Sequence, residues 1–210
     1  MEALGGYRTK SSARKERTLK IFFSLAVCMG GLFLVQHKLT RPTKPKDFYS
    51  FEVLDAKGRK ISLEKYRGKV SLVVNVASHC ELTEKNYQAL QELHRELGTS
   101  HFNVLGFPCS QFGNTEQGTS RDIEAWTKAA YGVTFPFFSK IKILGSEANP
   151  AFKFLTDSVQ KAPKWNFWKF LVGPDGQLVK FWKAEEPFDQ IRQEVTAQVR
   201  QIILKKRQEL

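Results

Sequence analysis

The sequence predicts an α/β domain, a mixed central sheet flanked by helices, preceded by one N-terminal transmembrane helix. Three observations carry this. VSLVVNVA, residues 70 to 77, is a nearly continuous apolar run rich in valine, which suits a strand buried on both faces. Strand and helix patterns alternate after it, which implies parallel pairing, and a late hairpin adds antiparallel pairing beside it. A separate apolar run, residues 21 to 37, stands before all of these.

Residues 1 to 20 form a basic tail, read as cytosolic, that holds Arg8, Lys10, Arg14, Lys15, Arg17 and Lys20. Residues 21 to 37, IFFSLAVCMGGLFLVQH, carry no acidic or basic side chain except His37. As a helix this stretch spans about 26 Å at about 1.5 Å per residue. That nearly matches an endoplasmic reticulum bilayer of about 27 Å. Lys20 and Lys38 flank the run and can snorkel to the headgroups. A cleaved signal peptide is the competing reading. The long basic region before the run, and no small-x-small site after it, favour an uncleaved signal-anchor. More basic charge precedes the span than follows it closely, which places the N-terminus in the cytosol and the globular part in the lumen. Residues 38 to 47, KLTRPTKPKD, read as a linker.

The globular domain is expected over 48–210. Residues 48 to 54 and 59 to 63 read as strands around the turn Asp55-Ala56-Lys57-Gly58. The buried strand at 70 to 77 comes next. Residues 83 to 97 then show helical spacing, with Tyr87, Leu90, Leu93 and Leu97 on one face and Thr83 as the N-cap. FNVLGF, 102 to 107, is a strand that Pro108 ends. A polar, glycine-containing loop runs to Thr119. Ser120 caps a helix over 121 to 131, which Gly132 closes. A short strand is expected at 137 to 141. Asn149-Pro150 opens a helix through about Ser158. Residues 167 to 172 and 177 to 182 form a hairpin across Pro174-Asp175-Gly176, and Pro187 opens a last helix to about Arg207. This order of elements is the thioredoxin-like solution.

Length gives room for a real core, and 41% apolar residues with 17 Phe argue for a packed globule. The formal charge of +12 is concentrated at the two ends of the chain. No basic-aromatic motif of the nucleic-acid-binding kind occurs, so no nucleic-acid partner is expected. The last residues, RQEL, resemble a KDEL-type retrieval signal with two departures; a frayed helix end is the plainer reading.

Cys80 lies just beyond the carboxyl end of the predicted central strand, where the next helix begins. Open α/β sheets place their sites at this edge, and free N–H groups at a helix start favour a thiolate. The plainer reading is a small buried apolar residue. Cys109 takes the equivalent place after the neighbouring strand, in GFPCSQFGN, so a permanent disulfide between the two is also open. Cys28 falls in the apolar run. No Cys-x-x-Cys occurs, which argues against a dithiol oxidoreductase of the thioredoxin kind and against a zinc ribbon; no metal site is expected. His79 either favours the Cys80 thiolate or is an incidental loop histidine.

NVASHCELT, FPCSQFGN and KWNFWKFLV, in this order and spacing, resemble the three signature blocks of the glutathione peroxidase family. The resemblance covers Phe48 to Leu204. With the anchor and the RQEL tail, the chain resembles the membrane-anchored endoplasmic reticulum member of that family. The resemblance implies a cysteine peroxidase with Cys80 as nucleophile, assisted by Gln111, Trp165 and Asn166. Indole and carboxamide N–H groups can hold a thiolate and a developing oxyanion without adding a competing acid. It also implies Cys109 as a resolving cysteine and hydrogen peroxide, with lipid hydroperoxides as a further candidate, as substrate. No bound cofactor is expected. Glutathione or a protein disulfide isomerase is the implied source of electrons. The segment 139 to 165 is short for an assembly loop, which implies a monomer. Two departures stand out: Glu81 replaces a glycine after the nucleophile, and Ser110 an asparagine in the second block. An acidic group at 81 opposes thiolate formation unless it points to solvent. These departures keep a second reading open, a membrane-tethered scaffold or regulatory protein with little turnover.

Overall fold

The structure is a computed structural model that describes residues 47–209. The basic tail, the span at 21–37, the linker up to residue 46 and Leu210 lie outside the described residues. Among the described residues no helix is long and apolar enough to cross a membrane. In chain order the elements are β1 (Glu52–Leu54), β2 (Lys60–Ser62), β3 (Val70–Val76), α1 (Thr83–Leu97), β4 (Phe102–Pro108), α2 (Ser120–Tyr131), α3 (Pro150–Val159), β5 (Lys169–Val172), β6 (Leu178–Trp182) and α4 (Phe188–Gln208).

The two long apolar runs make a parallel pair, β3 inside the sheet and β4 at its edge. β3 and β4 are buried at every position and pair in parallel, Val70 opposite Phe102 through Val76 opposite Pro108. Parallel neighbours need a crossover, and α1 supplies it, burying Tyr87, Leu90 and Leu93. β5 pairs antiparallel with the other edge of β3, and β6 lies outside β5. The sheet order is therefore β4-β3-β5-β6. α1 packs against β4, α4 against β3, and α3 against β6. This is the thioredoxin-like arrangement that the order of elements predicts, with β1 and β2 as a separate antiparallel pair.

Several boundaries differ from the sequence expectation, each for a local reason. Residues 48 to 50 form a 3-10 turn, because the Asp47 carboxylate accepts from the amides of Tyr49 and Ser50. Thr119, not Ser120, caps α2, in a capping box with Asp122; the Ser120 hydroxyl accepts instead from the Lys140 amide. Residues 137 to 141 form no strand. They bridge at two points only, Phe137 to Gly106 and Phe138 to Asp55. The close approach needs Gly106, since a Cβ there would lie 3.2 Å from the rings of Phe135 and Phe137. The expected caps Asn149 and Gly132 hold, the latter left-handed with φ 63°.

Candidate functional site

The site grows from the end of β3. Six residues, Ala77 to Leu82, join β3 to α1, and Cys80 sits among them, half-buried. Thr83, expected as a cap, is the first helical residue and does other work. Its hydroxyl accepts from the Cys80 amide at 3.0 Å and donates to the Ala77 carbonyl at 2.9 Å. A single side chain thus closes the loop that carries the cysteine. The His79 amide donates to the Thr115 carbonyl at 2.9 Å, tying this loop to the one after β4. The His79 ring faces Trp126, with centroids 5.9 Å apart, and forms no hydrogen bond with Cys80. The incidental reading of His79 fits that position.

The third block is held by a residue that sequence reasoning missed. Asn75, buried in β3, donates from Nδ2 to the Trp165 carbonyl at 3.1 Å and accepts at Oδ1 from the Trp168 amide at 2.9 Å. Its own carbonyl accepts from the Phe167 amide at 2.7 Å. Phe167 takes a left-handed conformation, φ 63°, which is strained for a bulky residue. Asn75 and the fully buried Phe167 ring, edge-on to Tyr87 at 5.7 Å, enforce it. The signal was an asparagine inside a nearly continuous apolar run. Lys169 is a second missed residue: a lysine in an apolar strand, 1% exposed, donating to the carbonyls of Phe167 at 2.8 Å and Ala184 at 3.4 Å. Burial pulls its ammonium down to about 7.

The structure brings some of the expected residues together and leaves others apart. The Trp165 indole donates to Glu81 Oε1 at 3.0 Å, and the Cys80 thiol donates to Glu81 Oε2 at 3.5 Å. Glu81 is exposed, yet its carboxylate turns toward the cysteine and the indole rather than away from them. Its own backbone amide, then the indole, then the thiol hold its carboxyl below the usual range. Asn166 is fully buried and donates from Nδ2 to Thr115 Oγ1 at 2.7 Å, and its Oδ1 has no partner. Gln111 is engaged elsewhere: Oε1 accepts from the amides of Ile143 and Leu144 at 2.6 and 2.9 Å, and Nε2 donates to the Leu144 carbonyl. No hydrogen bond joins Cys80 to Gln111, Trp165 or Asn166 among the described residues.

Cys80 and Cys109 are free thiols. Cys109 is fully buried, its sulfur 3.8 Å from Gln111 Oε1, and burial pushes its thiol up. Close to it lies Glu116, another residue the sequence did not single out. Glu116 is 1% exposed, and neither carboxylate oxygen has a hydrogen-bond partner. Burial pushes it up to about 7, against the pull of Ser78 and Lys140. Beside Trp165 opens a groove of about 600 Å³ lined by Lys161, Lys164, Lys183, Glu185, Trp165 and Trp168. No group of three or more His, Cys, Asp or Glu that could hold a metal ion occurs among the described residues.

The chain matches the family model described as glutathione peroxidase over residues 48–156. It is 71% identical to "Probable glutathione peroxidase 8" of Danio rerio over 210 residues, covering 100% of both chains. Among solved structures, the crystal structure of Trgpx in apo form is 32% identical, with a TM-score of 0.62, covering 75% of this chain and 98% of that one. A thiol:disulfide interchange protein of the thioredoxin family from Chlorobium tepidum is 12% identical with a TM-score of 0.57, covering 76% of this chain and 99% of that one, which shows the fold alone.

Proposed function

As a peroxidase of the glutathione peroxidase family, to which this chain belongs, it needs a group that attacks the peroxide, and we propose that this group is the Cys80 thiolate. Peroxidases of the family take electrons from thiol co-substrates and carry no prosthetic group. One observation carries the assignment: Cys80 is half-buried in the loop past the carboxyl end of β3, with Trp165 of the third block brought beside it, whereas Cys109 is fully buried and burial pushes its thiol up. The thiolate attacks one oxygen of hydrogen peroxide. The O–O bond breaks, the sulfur is oxidised by two electrons to a sulfenic acid, and the departing hydroxide takes a proton to leave as water. Trp165, Asn166 and Gln111 are the donors for the charges that develop. Asn166 is held by one bond to Thr115; Gln111 must release the amides of Ile143 and Leu144 to take part.

Cys109 is the proposed resolving thiol. Its sulfur attacks the sulfenic sulfur, a disulfide forms and a second water leaves. The step requires movement, because Cys109 is buried and its amide is bonded to the Val76 carbonyl at 3.1 Å. A dithiol protein of the disulfide isomerase kind then reduces the disulfide, with glutathione as the other candidate. The lysine-rich groove beside Trp165 suits an anionic thiol co-substrate of either sort. The apolar run at 21–37 and the charge bias around it support a single-pass anchor in the endoplasmic reticulum membrane, with this domain luminal. A monomer acting on hydrogen peroxide or lipid hydroperoxides completes the reading. Family membership speaks for it over the low-turnover scaffold.

The test uses the full-length, reduced chain and one equivalent of hydrogen peroxide, quenched at short times with a thiol-blocking agent. Mass spectrometry of the peptides should show rapid loss of the Cys80 thiol, then a Cys80–Cys109 link. Cys80→Ser should abolish peroxide turnover, and Cys109→Ser should keep the first oxidation while losing the link. Full turnover by Cys80→Ser would overturn the assignment.

A further inference from the structure

The two groups that peroxide chemistry needs free in the proposed site, the nucleophilic sulfur and the indole N–H, both donate to one carboxylate. Cys80 Sγ lies 3.5 Å from Glu81 Oε2 and Trp165 Nε1 lies 3.0 Å from Glu81 Oε1. A hydrogen bond donated by the thiol stabilises the protonated sulfur, and a negative charge at that range opposes its ionisation. An indole N–H already given to a carboxylate is not available to a thiolate or an oxyanion. Glu81 is next to the nucleophile in the chain, so its backbone cannot move away from Cys80; only its side chain can.

We propose that Glu81 is the positioning residue that latches this site: it holds Cys80 as a thiol with Trp165 turned aside, and releases both together. The inference rests on Cys80 being the nucleophile. When the thiol proton leaves, one of the two bonds loses its donor and two negative charges face each other at 3.5 Å. The carboxylate then swings toward water, and the indole N–H is left to the thiolate. Ionisation of the sulfur and release of its donor become one event.

The charged surroundings fit an acidic gate. Glu81 shares a shallow hollow of about 400 Å³ with Glu84, Lys85 and Glu92 of α1. Lys85 is the only cation among these lining groups, against three carboxylates. On the loop itself His79 faces Trp126, and across the site Lys164 precedes Trp165 and lines the groove on that side. None of these bonds the Cys80 sulfur, whose side-chain partner among the described residues is Glu81.

The test compares the full-length chain with Glu81→Gln, which keeps the shape and removes the charge, and with Glu81→Asp, which keeps the charge. The pH profile of alkylation is followed on the Cys80 peptide by mass spectrometry, so that Cys28 and Cys109 do not contribute. Glu81→Gln should move the midpoint down and speed Cys80 oxidation by hydrogen peroxide severalfold near neutral pH. Glu81→Asp should stay nearer the parent in midpoint. A midpoint in Glu81→Gln at or above that of the parent overturns the proposal, as does an Asp variant that behaves like the Gln variant. Alkylation reports the thiol whether or not it reduces peroxide. A parent chain without turnover would sink the nucleophile assignment and still leave the latch to be judged by the midpoints.

Discussion

The side-chain amide of Asn75 donates to the carbonyl of Trp165 at 3.1 Å, joining the carboxyl end of β3 to a residue 90 positions later. The same side chain accepts from Trp168, so one buried carboxamide spans both ends of the left-handed turn at Phe167. Trp165 and Asn166 are delivered to the Cys80 loop by this bracket.

Asn75→Ala should therefore damage stability and activity together. It leaves the Trp168 amide without its acceptor in a buried setting, at a cost of roughly 2 to 3 kcal/mol. Urea denaturation measures this loss. The rate of Cys80 oxidation should fall by more than the fraction unfolded accounts for, because Trp165 loses its seat. A variant with parental stability would show that the bracket is dispensable.

Two buried titrating groups should shape the pH dependence of stability. The folded-state value of Glu116 is raised from 4.5 to about 7. Between those values the native state holds a proton that the unfolded state has lost. Stability therefore falls as pH rises through this window, by on the order of 3 kcal/mol. Lys169 is lowered from 10.5 to about 7, so here the unfolded state holds the extra proton and stability rises from pH 7 upward. The two slopes meet in a minimum near pH 7. His94, whose value burial lowers, works against the Glu116 slope on the acid side. The difference between the parent and Glu116→Gln isolates that slope. Denaturation midpoints from pH 5 to 9 should show the variant gaining on the parent up to about pH 7 and not beyond. A flat difference would mean that Glu116 is solvated.

Membrane topology can be read with an introduced glycan. No Asn-x-Ser/Thr site occurs in the chain. The turn after β1 is exposed at Lys57, Gly58 and Arg59. Lys57→Asn with Arg59→Thr creates an acceptor there. In translation with microsomes the doubly substituted chain should gain a mass that endoglycosidase removes. An unmodified chain places the domain in the cytosol and removes the luminal reading.

Much of the fold was legible in the sequence, because burial on both faces leaves a plain trace. The apolar runs around Val70–Val76 and Phe102–Pro108 are the two long parallel strands. Cys80 was legible for the same reason, as the first reactive side chain past the end of such a run. What stayed hidden were polar residues inside apolar stretches. Asn75 lies inside its strand and Lys169 begins its own, and nothing in the local pattern says that each spans several backbone groups. The short segment at 137–141 looked like a strand by composition. Its bridges depend instead on the missing side chain of Gly106, far away in sequence. Gln111 shows the opposite limit. Its type and spacing matched the family, yet its amide is spent on Ile143 and Leu144, a choice set by a loop 32 residues on.

Lys169 reaches from the Phe167 carbonyl to that of Ala184, just past the end of β6. β6 is an outer strand of the sheet, with neighbours on one side only. Outer strands open on their own, well below the free energy of global unfolding. Each such excursion strains one of the two anchors of the lysine and loosens the turn that seats Trp165. Amide exchange along β6 should then rise in a Lys169→Met variant, which removes the tether to Ala184.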